Sequence, residues 1–447
     1  MSAKWRKMNA VALGENIGLG IICPVRLAET FLDAIEAHAL SGRIYARLMR
    51  ERTLAQAIAA RDRARAGMRR GVLDGVPISI KDNYDTAGIA TEAGSALLKG
   101  RVPARDADLI ARLEAAGMVF LGKTHMTELA FSGLGLNPIT ATPPCVNDPA
   151  AVPGGSSSGA AASVAFGLAP VALGSDTGGS VRLPAAWNDL VGLKTTEGRL
   201  SCNGIVPLSR RFDTAGPLAR SVADAAAIFG VLAGQPAPDL AGVSLAGARF
   251  LVLETVAMQG LREAPAEGFD RAVARIKAAG AQVVHGEIAA VTQAMELAGV
   301  LYTSECWAEW REAITARGDV MFPPVRARFQ AGAAHAAHDY IAALFRLGDT
   351  RAQYLAAAAG YDAVLVPTVP STPPEAARLL ADHDYFTTEN LLALRNTRIG
   401  NLLGLCALTL PTGIPGTGIS LMAAGGQDER LLRLGQAVEA ALRAPEA

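Results

Sequence analysis

The stretch from Pro153 to Pro184, PGGSSSGAAASVAFGLAPVALGSDTGGSVRLP, constrains this chain more than any other. Two Gly/Ser clusters, Gly154–Gly159 and Gly178–Ser180, bracket a short apolar piece. Glycine lets the backbone turn tightly and lets its N–H groups converge on an anion or a polarised oxygen. Serines set among the glycines supply hydroxyls that can serve as nucleophile or relay. The stretch reads as an oxyanion-binding site carrying a serine, against the plainer reading of two Gly/Ser loops without chemistry.

The surrounding sequence alternates apolar runs with amphipathic segments. Pro24 to about Gly67 has a helical pattern, with Leu27, Phe31 and Ile35 recurring every four residues. Val76–Ile80 is a short apolar run that ends in Lys81, which places a lysine at the C-terminal end of a buried strand. Asp106–Ala116 predicts a helix and Met118–Leu121 a strand, with His125 just beyond its end. Ser221 and Asp224 look like a capping box opening a helix. Further strands are expected at Arg249–Leu253, Ala281–Val284, Ala363–Val366, Leu405–Leu410 and Ile419–Met422. Tyr302 to about Gly360 reads as mostly helical, and a last helix carries Leu431, Val438 and Leu442. Strands alternating with helices indicate an α/β fold, a large sheet, largely parallel or mixed, between helical layers, in a single domain over 1–447.

Three polar residues stand out on this frame: Lys81, Ser156 and Ser180. A serine needs a base to become a nucleophile. None of the six histidines lies in a Gly/Ser cluster; His38 sits on a helix, and His125 alone stands beside a strand end near the site. A buried lysine can replace histidine, because desolvation disfavours its ammonium form. Lys81 fits that demand.

These residues carry a family resemblance. The chain resembles the amidase-signature hydrolases: Gly75-Val-Pro-Ile-Ser-Ile-Lys81-Asp82-Asn83 is similar to their lysine motif, and Gly154-Gly-Ser-Ser-Ser-Gly159 to their Gly/Ser signature. Gly174-Ser-Asp-Thr-Gly-Gly-Ser180-Val-Arg182-Leu-Pro184 is similar to their nucleophile segment, and the spacing of 24 residues between Ser156 and Ser180 also agrees. The similarity is strong from about 70 to 235 and collinear to the C-terminus. It implies that Ser180 is the nucleophile, that Ser156 follows a cis peptide bond and bridges, and that Lys81 is the base. It implies an oxyanion hole from the N–H groups of Thr177, Gly178, Gly179 and Ser180, with Ala130 where the backbone faces the substrate. Arg182 is expected to pair with Asp176 and hold the loop.

The resemblance implies an amidase that releases acid and ammonia or an amine through an acyl-enzyme. Two alternatives belong to the same family: the glutaminase component of a tRNA-dependent amidotransferase, and a hydrolase of a urea-derived amide such as allophanate or carboxybiuret. A nucleophile elbow on Ser157 would need a preceding strand, and Asn147–Pro153 is a proline-bounded loop. A phosphate-binding loop fails because Ala160 follows Gly159. Specificity is expected from about 300 to 360, from the loop Phe131–Thr142 and from the neighbourhood of Trp187. Trp307 and Trp310 are expected to be core.

Charge and cysteine usage bound the partners. Lys+Arg and Asp+Glu are both 42, so no electrostatic signature of nucleic-acid or membrane-surface binding is present. Five scattered cysteines without a CxxC pair argue for a reducing compartment, and with no apolar leader the expectation is a cytoplasmic protein. The resemblance implies a small-molecule amide as partner, with a homodimer left open. No His/Cys/Asp cluster has ligand spacing, so neither a metal nor an organic cofactor is expected. Exhaustive chelation should therefore leave amide hydrolysis unchanged; activity lost to the chelator and restored by one metal would refute this reading.

Overall fold

Ile78 and Ile80 point into the main core, so strand alternation turns Ser79 and Lys81 to the opposite face of the sheet. The computed structural model describes residues 2–444. Its strands are β1 (Tyr45–Leu48), β2 (Pro77–Lys81), β3 (Val119–Thr124), β4 (Val171–Asp176), β5 (Val191–Lys194) and β6 (Thr214–Ala219). They continue as β7 (Arg249–Leu253), β8 (Gln282–Gly286), β9 (Ala363–Pro367), β10 (Cys406–Pro411) and β11 (Gly418–Ala423). All join one sheet, in the order β1-β3-β2-β4-β6-β5-β10-β11-β9-β7-β8. Pairing is parallel within β3-β2-β4 and β9-β7-β8 and antiparallel elsewhere, which makes the sheet mixed.

Helices cover both faces. Leu109, Leu113, Phe229, Leu432 and Val438, from helices Asp108–Ala115, Val222–Ala233 and Asp428–Arg443, pack with Val171, Leu173 and Leu408. On the other face Ala172 and Leu218 meet Ala160, Ala161 and Val164 of helix Ser158–Ala165 and Ala185 of helix Arg182–Trp187. Toward β9 that face is covered by Leu301, Leu347, Ile399 and Leu402, from helices Ala298–Arg317, Ala337–Ala358 and His383–Leu402. Trp310 is core, as expected, with its Nε1 donating to the Pro207 carbonyl at 2.9 Å.

Strands β4, β5 and β6 were not expected from patterning, and three further details differ from the sequence expectation. The helical stretch from Pro24 to Gly67 is broken by β1, which forms because Tyr45–Leu48 pairs antiparallel with the exposed side of β3. Ser221 does cap its helix, accepting from the Asp224 N–H at 3.2 Å. Asp224 does not reach back, so the box is half formed; its Oδ1 accepts from the Val11 N–H at 2.9 Å and anchors the N-terminal helix Ala10–Gly18 instead. A further helix, His383–Leu402, occupies a segment in which sequence patterning raised no element.

The turn after β4 is held by one carboxylate. Asp176, fully buried, accepts from the backbone N–H groups of Gly179 at 2.8 Å and Val181 at 3.1 Å. It also accepts from Arg182 Nε at 3.1 Å and Nη2 at 3.0 Å, and from Asn401 Nδ2 at 2.9 Å. Burial alone would push this carboxyl up, but Arg182 outweighs it and holds it well below the usual carboxylate range. The expected Asp176–Arg182 pair is thus present, with both side chains inaccessible to solvent. Breaking such a pair leaves one charge buried alone, so Asp176→Asn and Arg182→Met should each cost about 3–5 kcal/mol in urea unfolding. A loss below about 1 kcal/mol, as for a surface pair, would show that the carboxylate does not organise the turn.

Candidate active site

β2 and β4 are parallel neighbours, so their C-terminal ends share one edge of the sheet. Lys81 ends the first and Ser175-Asp176 the second. Lys81 Nζ lies 2.7 Å from Ser156 Oγ and 2.8 Å from Ser175 Oγ, and Asn83 Nδ2 donates to the same Ser175 hydroxyl at 2.9 Å. Ser156 enters from the turn before helix Ser158–Ala165, after a Gly155–Ser156 peptide bond that is cis. No side chain could replace Gly155 here: an added Cβ would lie 2.6 Å from Thr127 Oγ1 and 2.8 Å from the Gly135 backbone. The structure thus joins Lys81 to Ser156. Ser180 is their neighbour, its carbonyl accepting from the Ser157 N–H at 3.2 Å.

Burial lowers the Lys81 ammonium from its ordinary value to about 7, against the opposing pull of Asp176 and Asp213. A neutral amine keeps a lone pair for the Ser156 hydroxyl proton while its own hydrogens point to Ser175. Asp213 is also buried, which raises it to about 6, although it accepts from Thr177 Oγ1 at 2.6 Å and from the Leu208 N–H at 2.9 Å.

The loop Thr177–Ser180 is fastened through its carbonyls. Thr214 Oγ1 donates to the Asp176 carbonyl at 2.6 Å, Tyr302 Oη to that of Thr177 at 3.0 Å, and Thr397 Oγ1 to that of Gly178 at 2.8 Å. The Gly179 carbonyl accepts from the Leu183 N–H at 2.8 Å. With the oxygens turned into the protein, Thr177, Gly178 and Ser180 line a cavity of about 260 Å³. Gly179 differs from its expected role. Its N–H is committed to Asp176, and it does not line the cavity. Its φ of 135° and the packing of Thr397, whose Oγ1 would sit 2.0 Å from an added Cβ, explain why glycine is needed there.

Ala130 lines the same cavity, where the resemblance put it. It and Leu129 hold φ of 61° and 45°, a left-handed pair that non-glycine residues adopt only where surroundings enforce it. His125 is not a lining residue; burial lowers it to about 4 and its carbonyl accepts from the Gly159 N–H. Trp187 is likewise away from the cavity, inaccessible and donating to the Ser371 carbonyl at 2.9 Å. Tyr302, Thr303 and Arg328 from the region about 300–360, with Phe131 and Ser132, do line it. Sequence reasoning missed the wall formed by helix His383–Leu402, with Thr387, Asn390, Leu391, Leu394 and Arg398. Its signal was present: Asn390, Thr397 and Asn401 repeat at helical spacing as polar residues on a face that is buried.

A family model described as Amidase matches residues 26–432. The chain is 37% identical over 385 residues to a 2-amino-5-chloromuconic acid deaminase of Comamonas testosteroni, covering 83% of this chain and 82% of that protein. It is 30% identical over 482 residues to the A-type component of a glutamyl-tRNA(Gln) amidotransferase of Streptomyces coelicolor, covering 97% and 96%. A solved structure described as an amidase superposes with a TM-score of 0.88 at 31% identity, covering 97% of this chain and 99% of that one.

The Lys81 environment predicts a titration. In lysine-labelled protein one side-chain resonance should titrate near 7 and vanish in Lys81→Met; Lys123 and Lys194, buried and lowered to about 8, provide internal comparison. The unfolded chain holds the Lys81 proton more tightly than the folded one. The stability cost is therefore full below about 7 and fades as pH rises toward the ordinary value of 10.5. The stability advantage of Lys81→Met over wild type should shrink over that window. A Lys81 resonance that stays charged through pH 9 would contradict the buried geometry.

Proposed function

The chain belongs to the amidase family, and from that premise we propose that it hydrolyses a small carboxylic amide through a relay from Ser180 to Ser156 to Lys81. The observation that carries this reading is the 2.7 Å contact between a fully buried Lys81 Nζ and Ser156 Oγ. In the forward step Ser180 Oγ attacks the amide carbonyl carbon while its proton passes to Ser156 Oγ and the Ser156 proton to Lys81 Nζ. The carbonyl oxygen becomes an oxyanion held by the N–H groups of Thr177, Gly178 and Ser180, each such donor being worth about 3–4 kcal/mol in the transition state. Protonated by the returning relay, the nitrogen leaves as ammonia or an amine and the acyl group stays on Ser180. Water then attacks the ester carbon as its proton passes to Ser156 and Lys81; the relay returns that proton to Ser180 Oγ as the acyl–oxygen bond breaks and the acid departs.

The glutaminase reading stays beside this one because the amidotransferase relative aligns over 96% of its own length. Co-purification of partner chains from the source cell would favour it, and turnover of simple amides by the isolated chain the free amidase. Five cysteines that are all unpaired suit work in the cytoplasm. Among the described residues no helix is long and apolar enough to cross a membrane.

Two variants test the roles. Ser180→Ala should fold normally and abolish hydrolysis, and hydroxylamine should trap an acyl group from the wild type only. Wild-type kcat/KM should rise with pH around 7 and level off above it. The sequence alone led to a rise free of any histidine-type inflection; the value near 7 lies in the range of an ordinary histidine, so the pH profile separates Lys81 from His125, lowered to about 4, but not from an unperturbed imidazole. Lys81→Arg does separate them, since a guanidinium stays protonated and should leave the enzyme inactive across the range. Near-wild-type turnover by Lys81→Arg, or by a folded Ser180→Ala, would overturn the mechanism.

A further inference from the structure

The cavity beside Ser180 has two cationic side chains in its wall, Arg328 and Arg398, and no acidic one. Arg328 comes from helix Pro323–Gln330 and Arg398 from helix His383–Leu402. Among the described residues neither has a carboxylate partner. Arg328 donates to the Phe131 carbonyl and stacks on the Phe131 ring at 4.2 Å. Arg398 lies 5.8 Å from the Tyr302 ring. The carbonyl takes one of the five N–H donors of Arg328, Arg398 has a ring contact only, and the rings answer each charge weakly. The acids packed nearby are engaged elsewhere: Glu305 takes Ser209, Tyr340 and Arg211, and Glu128 takes Ser95 and the Phe322 N–H.

Asn390 adds an independent observation. It is 1% exposed and lines the same cavity. Its Oδ1 accepts from the Gly133 N–H at 2.8 Å and from Ser132 Oγ at 3.0 Å. A backbone N–H can only donate, so this fixes the amide with Nδ2 as the other atom, and Nδ2 has no partner. Two guanidinium groups, of which Arg328 alone meets a backbone carbonyl, and one orphaned amide NH2 are therefore gathered where no carboxylate among the described residues meets them. Both guanidinium groups are half-buried, and partial loss of water without a counter-charge is costly unless something bound supplies it. The rest of the wall is largely apolar, with Leu208, Leu391 and Leu394.

We infer that the substrate is a small amide bearing a carboxylate away from its scissile bond, the carboxylate being bound by Arg328, Arg398 and the Asn390 amide while Ser180 faces the amide carbon. A planar carboxylate matches the guanidinium fork and can take both N–H groups of one arginine and a donor from the next. The cavity of about 260 Å³ suits an amido acid of a few carbons more than a peptide or a large aryl amide. The inference rests on the amidase reading for the scissile bond, but the anion site stands on Arg328, Arg398 and Asn390 alone.

The test has a binding arm and a turnover arm. Titration calorimetry of the wild type with malonate, succinate, glutarate and adipate should show binding by at least one, and the matched neutral diamide should not bind. Arg398→Gln and Arg328→Gln, with folding checked by circular dichroism, should weaken that dicarboxylate at least about tenfold. In turnover, kcat/KM for succinamate or glutaramate should exceed that for butyramide or valeramide at least about tenfold, and the ratio should fall in both variants. If no amide is turned over while dicarboxylate binds and the variants lose it, the hydrolysis reading falls and the anion site stands. If neutral amides are preferred, if no dicarboxylate binds, or if folded variants bind it as the wild type does, the inference is overturned; the wild-type arms decide even where a variant fails to fold.

Discussion

Everything near the site turns on one carboxylate that stays ionised inside the protein. Asp176 is buried with its cation, Arg182, and the two are joined by hydrogen bonds as well as charge. Around that pair the chain reverses from β4 into helix Arg182–Trp187, and Asn401 ties in a helix more than two hundred residues further on. A neutral side chain could not collect the Gly179 and Val181 N–H groups and a guanidinium at once. The pair is therefore less a source of stability than a device that gives the turn a single shape.

The same pair shapes the electrostatics a few ångströms away. Lys81 would be drawn toward its charged form by Asp176 and Asp213, yet burial prevails and the amine sits near neutrality. Arg182 matters here because it answers the Asp176 charge at close range. The site thus keeps an ionised acid and a titrating amine side by side, with the difference set by which of them has a permanent partner. Lys123 and Lys194 are buried too, but each donates to backbone carbonyls, Tyr84 and Leu405 respectively, and neither meets a serine of the site.

The residues proposed to react stand out in the sequence because each is local. Lys81 closes an apolar run, and Ser156 and Ser180 sit among glycines, so a short window discloses both the residue and the reason for it. At β4, β5 and β6 a glycine interrupts the apolar run and no strand was raised, whereas at β2, β3 and β7 to β11 the sheet was legible. It was less so for β1, whose formation depends on an edge offered by β3, a strand more than seventy residues later. The cationic part of the cavity wall was hidden for the same reason: Arg328, Asn390 and Arg398 become a group only when two helices, Pro323–Gln330 and His383–Leu402, converge on one cavity. Asp224 shows the limit of motif reading in miniature, since the spacing is that of a capping box and the carboxylate serves a different helix.

The fastening of the loop carbonyls has a consequence for divergence. The groups proposed to react lie between Lys81 and Ser180, whereas most of the cavity wall comes from Ala298 to Arg398. The two parts are stitched together by Tyr302 to the Thr177 carbonyl, Thr397 to the Gly178 carbonyl and Asn401 to Asp176. A lineage could exchange the wall residues at 328, 390 and 398 for new selectivity while the machinery remained as it was, provided the three stitches survived. On this architecture innovation in what is recognised and conservation of how it is cut are assigned to different stretches of one polypeptide, and the stitches mark the seam along which new enzymes could be tailored.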